Sequence, residues 1–390
     1  MLQKRLFSVG YNDSLNKTMN KILFISYWNP TIANLGKGIF IHEQAKLLSQ
    51  SFQNFYFVEV NIGSENNNLF QVSSELTSFE SGYKLKISIN SLLWKLIYQI
   101  PKLSEVIIWR EIKRNNLNNN IQIVHGNVVF PCGIVCSSLA RKTKARLIIS
   151  EHWSKVKSKV NNPIFRHQIK KTYESADTVI CVSEWLQNLV HEISPLSKTQ
   201  IIPNVVSDHY FYPSPSSNLS NDYYFSCAAT WELPKRLDLI IAALNELARE
   251  DEKRVILNIV GEGSLLNYIE KTPLSNKLII NKHGYLDKSS LGDVLRSSDY
   301  FIHASNIETF SIVVAEALAC GLPVIASRVG ALPHLINKGN GVLCDNTVED
   351  WVEGIKNITS NKYDRFTISE SSKIYSPESF IKNISRLYIG

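Results

Sequence analysis

Several features of common protein classes are missing from this sequence of 390 residues. No apolar run approaches the roughly 18 residues that a membrane-spanning helix needs. The first residues also lack the apolar core of a secretory signal, so we treat residues 1–18 as a dispensable extension. These absences predict a chain that neither spans a membrane nor is secreted.

Cysteine is scarce as well, with six residues and no C-x-x-C pair. Cys132 and Cys136 are one helical turn apart, a spacing that suits packing better than a zinc site. We therefore expect no bound metal, a reducing compartment and a cytoplasmic protein.

The formal net charge of +7 is unevenly distributed. Residues 1–200 hold 24 of the 42 Lys and Arg residues but only 13 of the 35 Asp and Glu residues. A basic first half favours an anionic neighbour, such as a lipid head group or a phosphorylated acceptor, although a merely solvated surface is the alternative. The basic residues accompany no recognisable nucleic-acid-reading motif, so no nucleic-acid partner is expected.

Short apolar runs rich in Ile, Val and Phe alternate with amphipathic helical patterns along the chain. This alternation predicts parallel strands that helices cover on both faces. A segment rich in Pro, Ser and Asn, residues 203–222, interrupts it and is interpreted as a linker. The predicted strands are 21–28, 55–60, 121–126, 146–150 and 177–183, then 223–228, 255–260, 277–281, 299–304 and 322–327; the predicted helices are 39–50, 133–142, 236–250, 289–298 and 311–321.

Two successive βα arrays predict an α/β protein with two doubly wound, Rossmann-like domains that face a central cleft. The first domain is expected to cover residues 1–205 and the second residues 206–376. Residues 377–390 form an amphipathic pattern, and we expect this last helix to return to the first domain and complete it.

The most informative stretch is residues 303–330. It predicts a strand, a loop that holds Glu308, and a helix that begins near Phe310 and stops before Gly321 and Pro323. The first turn of this helix has no acidic residue, so its free backbone N–H groups are available to a diphosphate. These N–H groups belong to Phe310, Ser311, Ile312 and Val313.

Two carboxylates flank this helix start. Glu308 precedes it, and Glu316 lies about five residues further in. A nucleotide-sugar with its diphosphate at the helix start would place its ribose hydroxyls at Glu316 and its sugar hydroxyls at Glu308. The alternative, which would hold for most pairs of glutamates eight residues apart, is a surface glutamate in the loop and a helix glutamate in an ordinary salt bridge.

The spacing Glu308-x7-Glu316, followed by Ala-Leu-Ala-Cys-Gly-Leu-Pro-Val-Ile-Ala, resembles the signature of retaining glycosyltransferases of family 4, the glycosyl transferases group 1. The resemblance implies a GT-B fold and a hexosyltransferase that uses a nucleotide-diphosphate-sugar. It extends over most of the chain through Pro203-Asn204, Lys235, the Val260-Gly261-Glu262-Gly263 turn and His283-Gly284.

The resemblance also implies roles for single residues. Lys235 would neutralise the donor diphosphate, Gly261 would belong to the donor site, and His152 would hydrogen-bond the transferred sugar. The loop with Gly36 and Gly38 would lie beside the donor phosphates and the acceptor. From the residues alone, an ordinary βα turn and a structural histidine remain the alternatives.

Three short stretches of the sequence depart from the family pattern. Ala229-Thr230 stands where Gly-Arg is usual, and Arg236 is the candidate replacement for that arginine. Val205 follows Asn204 in place of Gly, and His334 stands where Glu is common.

The implied mechanism is retention without a metal ion, in which helix N–H groups and Lys235 stabilise the leaving diphosphate. The sequence contains no D-x-D, the usual metal-holding element of the other large glycosyltransferase fold. A nucleotide-sugar epimerase or a sugar-phosphate synthase could share the fold. A non-catalytic glycosyltransferase-like subunit is a further alternative, favoured by Thr230.

The acceptor is best indicated by residues 91–114, which mix Trp, Leu and Ile with Lys and Arg. This mixture suits a helix on an anionic membrane, and a core-packing helix pair broken at Pro101 is the alternative. On the first interpretation the protein is peripheral on the inner face of the membrane. Its acceptor would be a glycan or lipid-linked saccharide in polysaccharide, capsule or lipopolysaccharide biosynthesis.

Overall fold

The computed structural model describes residues 21–30, 38–64, 70–215 and 222–390. The expected extension at 1–18 and the glycine at position 36 therefore lie outside the described residues. Internal contacts divide the chain into two compact units, which are Met1–Glu151 with Ser158–Ile180 and Ile193–Thr199, and His152–Lys157 with Cys181–Glu192 and Gln200–Gly390.

The first sheet has eight strands, which are β1 (Lys21–Ser26), β2 (Phe55–Gly63), β3 (Phe70–Phe79), β4 (Gly82–Ser91), β5 (Ile121–Asn127), β6 (Arg146–Glu151), β7 (Thr178–Cys181) and β8 (Thr199–Ile201). Their order across the sheet is β3-β4-β2-β1-β5-β6-β7-β8. β1 pairs in parallel with β2 and β5, whereas β3 runs antiparallel to β4 at the edge. Five of the six residues of β1 are buried, as its continuous apolar sequence predicts.

Seven helices accompany these strands: α1 (Ile39–Ser51), α2 (Trp94–Gln99), α3 (Pro101–Arg114), α4 (Ile134–Thr143), α5 (Val156–Val160), α6 (Pro163–Ser175) and α7 (Glu184–Ile193). Proline begins α3 and α6, because the first helical position needs no N–H donor. The side chain of Asn162 caps α6 by accepting from Ile164 N and Phe165 N. The predicted helix pair broken at Pro101 is confirmed as α2 and α3.

The second sheet has six strands, which are β9 (Tyr223–Ala228), β10 (Val255–Val260), β11 (Leu278–Lys282), β12 (Tyr300–His303), β13 (Val324–Ser327) and β14 (Gly341–Cys344). Every pair in it is parallel, and the order is β11-β10-β9-β12-β13-β14. Successive strands therefore extend the sheet from β9 in one direction and from β12 in the other. The boundary between β9 and β12 is a topological switch point, where ligands bind in open α/β sheets.

The helices of this part are α8 (Leu237–Glu250), α9 (Asn267–Glu270), α10 (Lys288–Arg296), α11 (Ile312–Ala319), α12 (Leu332–Leu335), α13 (Val348–Ser360), α14 (Arg365–Ser371) and α15 (Pro377–Ile389). The hydrophobic core joins α8 and α13 to the sheet through Leu244, Ile259 and Trp351, all fully buried. None of the helices in the described parts of the chain is both long and apolar enough to cross a bilayer.

The predicted fold class is confirmed, since both halves are doubly wound α/β arrays and all ten predicted strands are present. The β3–β4 hairpin, β8 and β14 were not predicted. β3 alternates polar and apolar residues and is largely exposed, so it lacks the apolar run that marks the other strands. The described part of segment 203–222 contains no helix or strand. The domain boundary near residue 205 and the return of the last helix to the first domain stay predictions.

Candidate functional site

Two loops meet at the switch point of the second sheet. The loop after β9 carries Lys235, and the loop after β12 carries Glu308. Backbone hydrogen bonds join them, because Lys235 forms an antiparallel bridge with Ser305 and Asn306 N donates to Pro234 O over 2.9 Å. The chain therefore holds the lysine and the glutamate loops together at the carboxyl ends of adjacent strands.

A cluster of four polar side chains fills this position. Lys235 Nζ forms an ion pair with Glu308 Oε1. His303 Nε2 lies 2.8 Å from the same carboxylate oxygen, 3.3 Å from Ser311 Oγ and 3.4 Å from Lys235 Nζ. Glu308 is only 8% exposed and His303 1% exposed, so their interactions are largely shielded from water. We call Lys235, His303, Glu308 and Ser311 the switch-point cluster.

Electrostatics sets the charge state of two members, Glu308 and His303. Burial alone would raise the pKa of Glu308, but the charge of Lys235 and the hydrogen bond from His303 outweigh it and lower the pKa to about 2. Burial and the neighbouring Lys235 lower the pKa of His303, although Glu308 acts in the opposite direction. At neutral pH the cluster therefore contains a carboxylate, an ammonium group and a neutral imidazole.

The backbone of Glu308 is fixed by a turn that follows β13. Ala331 N donates to Glu308 O over 2.9 Å. Gly330 has a φ of +55°, and a Cβ at this position would overlap the carbonyl oxygen of Glu308. On the other side, Asn346 Nδ2 donates to Ser305 O over 3.0 Å. Glu308 is thus set between two anchored segments.

Helix α11 begins at Ile312, two residues later than predicted. Ser311 is its N-cap and holds a left-handed backbone conformation (φ 70°, ψ 83°), so the helix cannot include Phe310. The Phe310 ring is buried and packs edge-on against Tyr375 at a centroid distance of 5.4 Å. The backbone N–H groups that lack an intrahelical partner therefore belong to the first turn of α11. This turn includes Ile312 and Val313 and follows the switch-point cluster.

Glu316 is the fifth residue of α11 and is buried. The structure thus places it one helical turn beyond Ile312, while Glu308 precedes the helix, as the sequence predicts. Within the described residues, no group of three or more His, Cys, Asp or Glu side chains is placed to hold a metal ion.

Arg236 and Gly261 were predicted to contact the donor. The Arg236 guanidinium donates to both carboxylate oxygens of Asp238, over 2.9 and 2.7 Å, and lies at 3.5 Å from Asn306 Oδ1. Asp238, in the first turn of α8, therefore binds the Arg236 guanidinium, and Arg236 does not join the switch-point cluster.

Gly261 has a φ of +103°, and a side chain there would overlap the carbonyl oxygen of Ala229, at the start of the loop that carries Lys235.

The predicted residues of the first part of the chain are Gly36, Gly38 and His152. Gly36 lies outside the described residues. Gly38 is the N-cap of α1 with a φ of +69°, and a Cβ there would overlap the carbonyl oxygen of Trp28, which lies shortly after β1. His152 follows β6 directly, and burial lowers its pKa to about 3, so its imidazole is neutral. The structure does not test the sugar contact predicted for it.

No role for His303 was predicted from the sequence. The residue ends a parallel strand and stands five positions before Glu308. A polar side chain at the carboxyl end of such a strand is the sequence signal for a position near a ligand. Its contact with Glu308 depends on the path of the loop between them, which the sequence pattern does not specify.

Comparisons with known proteins give the family of this architecture. The sequence model described as Glycosyl transferases group 1 matches residues 214–374, and the one described as Glycosyltransferase Family 4 matches residues 81–210. The first match contains the whole switch-point cluster.

Relatives and a solved structure agree with these matches. An uncharacterised glycosyltransferase of Methanocaldococcus jannaschii is 26% identical over 308 residues, which cover 75% of this chain and 84% of the relative. The N-acetyl-alpha-D-glucosaminyl L-malate synthase of Bacillus anthracis is 25% identical over 243 residues, or 58% of this chain and 62% of the relative.

The structure of Anabaena HepE, solved in complex with UDP and glucose, superimposes with a TM-score of 0.68 at 16% identity. The superposition covers 95% of this chain and 99% of HepE, and it shows a shared fold. From the two family matches, the two doubly wound domains and these relatives, we conclude that the chain is a glycosyltransferase of the hexosyltransferase class with the GT-B fold and belongs to glycosyltransferase family 4.

Proposed function

We propose that this enzyme transfers a sugar from a nucleotide-diphosphate-sugar to a glycan or lipid-linked saccharide, with retention at the anomeric carbon. The observation that carries the proposal is the ionised Glu308, held by Lys235 and His303 directly before the start of α11. The loop before α11 thereby brings a carboxylate and the first N–H groups of the helix next to the cation of the β9 loop.

The donor's diphosphate binds at the start of α11, where Lys235 and the N–H groups of the first turn offset its negative charge. The sugar hydroxyls then donate to Glu308, and the ribose hydroxyls donate to Glu316 further along the helix. The complex of HepE with UDP and glucose supports a nucleotide-sugar donor and makes UDP-sugars the first to test.

Catalysis rests on stabilising the leaving group. The bond between the anomeric carbon and the diphosphate oxygen breaks, a bond to the acceptor oxygen forms on the same face, and the acceptor's proton passes to the leaving phosphate. The Lys235 ammonium group and the positive N-terminal end of α11 are in place before the reaction. Electrostatic catalysis is most effective when the stabilising charges are already positioned in this way. The step needs no nucleophilic side chain, and we propose that it proceeds without a metal ion.

The acceptor is proposed from the surface of α2 and α3. Six apolar side chains of this region are between 41 and 62% exposed: Leu92, Leu93, Leu96, Ile100, Leu103 and Val106. Lys95 and Lys102 lie exposed among them, while Ile97 and Ile108 of the same helices are buried. The region therefore has a core face and an exposed apolar face with basic residues.

We define this exposed face as the α2–α3 surface and propose that it docks on the anionic inner leaflet of a membrane. Such docking brings the enzyme to a lipid-linked saccharide in polysaccharide, capsule or lipopolysaccharide biosynthesis. It also accounts for the excess of basic residues in the first half of the chain.

The decisive experiment replaces Glu308 by Gln, which keeps the shape of the side chain and removes its charge. The purified protein is incubated with UDP-, GDP- and ADP-sugars and candidate acceptors, with and without EDTA, and the anomeric configuration of the product is read by NMR. We expect transfer with retention in EDTA, and a rate at least about 100-fold lower for Glu308→Gln, as for other lost transition-state hydrogen bonds.

Glu353→Gln is the matched control, since Glu353 is exposed on α13. It should transfer at the wild-type rate. Full activity of Glu308→Gln on the true substrates would contradict the assigned site, and loss of activity in EDTA would contradict metal independence.

A further inference from the structure

His303 has the clearest unassigned role in the structure. It ends β12, is almost fully buried, and its Nε2 faces three members of the switch-point cluster. A buried imidazole is costly unless its ring nitrogens find partners. The contact of 2.8 Å with Glu308 supplies a partner for one of these nitrogens.

The direction of the hydrogen bond follows from the neighbours. Glu308 is ionised and only accepts, whereas Lys235 only donates. At 2.8 Å from a carboxylate oxygen, an unprotonated Nε2 would set two lone pairs against each other. The neutral imidazole must therefore carry its hydrogen on Nε2 and donate it to Glu308.

Lys235 and His303 have different freedom at this oxygen. The Lys235 ammonium ends a flexible side chain that is 20% exposed, and a diphosphate would compete with Glu308 for it. The His303 ring is 1% exposed and fixed by the strand, and its face is parallel to the Phe301 ring. Only the histidine can keep the carboxylate in one position throughout the reaction.

We propose that His303 is a positioning residue that holds the Glu308 carboxylate toward the transferred sugar through Nε2–H when the donor diphosphate draws Lys235 away. This inference rests on the proposed function, because it gives Glu308 a sugar to bind. It adds a residue that the family resemblance does not assign.

The proposal has a pH signature. The charged and titratable groups that act on Glu308 are Lys235 on the β9 loop and His303 on β12, and both lower its pKa. Glu308 works as a carboxylate, so its function is present above its pKa and lost as the pH falls through it. When the Nε2–H donor of His303 is removed, the pKa of Glu308 rises. The acid limb of the pH profile of kcat/KM must then move to higher pH.

Two amides of different length test the role. In His303→Gln the amide nitrogen reaches about as far as Nε2 and can donate to Glu308, whereas in His303→Asn it stops near the position of Nδ1. We expect kcat about 10- to 100-fold lower for His303→Asn, the range for a lost hydrogen bond to a charged group, with the donor KM little changed. His303→Gln should retain kcat within about 3-fold and keep the wild-type acid limb.

His167→Asn serves as the control, because His167 is exposed on α6. Equal kcat values and equal acid limbs for His303→Asn and His303→Gln would overturn the proposal, whether both variants are active or both inactive. In that case the residue fills space only.

A second measurement needs no substrate. Long-range ¹H–¹⁵N spectra of the wild-type protein should show His303 as the neutral Nε2–H tautomer, with a proton shift that changes in Glu308→Gln. The Nδ1–H tautomer would refute the proposed hydrogen bond even if every variant is inactive. A protein with the expected tautomer but no transfer from any nucleotide-sugar would instead refute the proposed function, so the two failures are distinguishable.

Discussion

At the scale of single residues, the site is built on backbone positions that few side chains can occupy. Gly330 holds a φ of +55° directly against the carbonyl of Glu308, and Ser311 holds a φ of +70° at the start of α11. A left-handed conformation costs a residue with a Cβ about 1–2 kcal/mol. The position of Glu308 therefore depends on left-handed backbone conformations at neighbouring residues.

This packing predicts the effect of Gly330→Ala. The added Cβ would overlap the Glu308 carbonyl oxygen, so the turn must shift and carry Glu308 with it. We expect destabilisation by about 2 kcal/mol or more in urea unfolding, and a fall in transfer rate of at least about 10-fold. Gly63→Ala is the control, because a Cβ at Gly63 meets no atom within 4 Å. Wild-type stability and activity of Gly330→Ala would show that the turn does not position Glu308.

Part of this residue-scale site was predictable from the sequence. The motif around Glu308 and the lysine before α8 indicated two partners, and the structure brings their side chains together. The diphosphate contact expected of Arg236 stays a prediction; its guanidinium donates to Asp238, a contact that depends on the rotamers of both side chains. His303 was missed because its role comes from a loop path that no periodic pattern encodes.

At the scale of elements, the chain shows why buried strands are easier to predict than exposed ones. β9 and β10 read as apolar runs because helices cover both of their faces. The β3–β4 hairpin lies at a sheet edge, and its polar alternation resembles loop sequence. For residues 91–114 the sequence left a membrane-surface helix and a core-packing helix pair as alternatives; the structure shows two helices that bury Ile97 and Ile108, and membrane contact stays a prediction.

The α2–α3 surface predicts binding to anionic lipid. In flotation assays at low salt, the full chain should rise with vesicles that contain phosphatidylglycerol and stay unbound with pure phosphatidylcholine. Leu93→Glu adds a negative charge at an apolar side chain that is 62% exposed, and should reduce the bound fraction several-fold.

Ile374→Glu is the control, because Ile374 is similarly exposed (58%) but lies outside this surface. The membrane proposal fails if the wild-type chain does not float with anionic vesicles at low salt, or if both variants lose binding equally.

At the scale of the whole molecule, the two doubly wound sheets differ in the features that they carry. The second sheet holds the switch point and the carboxylates, and the first carries the basic excess and the α2–α3 surface. The repeated βα pattern predicted two successive α/β arrays, and the two sheets confirm them. The antiparallel strand β3 at the edge of the first sheet distinguishes the two halves, and the repeated βα pattern did not predict it.

Donor binding to the folded chain predicts a thermal shift. A UDP-sugar at 100 times its Kd should stabilise the fold by about 2.7 kcal/mol and raise the unfolding midpoint. Lys235→Met removes the cation and should abolish most of the shift, whereas Lys382→Met, at an exposed position of α15, should keep it. An unchanged shift in Lys235→Met would remove that lysine from the diphosphate site.

The backbone bridge between the loops of Lys235 and Ser305 also limits how this enzyme can be re-engineered. Segments 229–236 and 304–311 interlock, so neither can be lengthened, shortened or exchanged with a relative's counterpart alone without misaligning the other. Grafting a new sugar preference onto this scaffold therefore requires transplanting both segments together as one cassette.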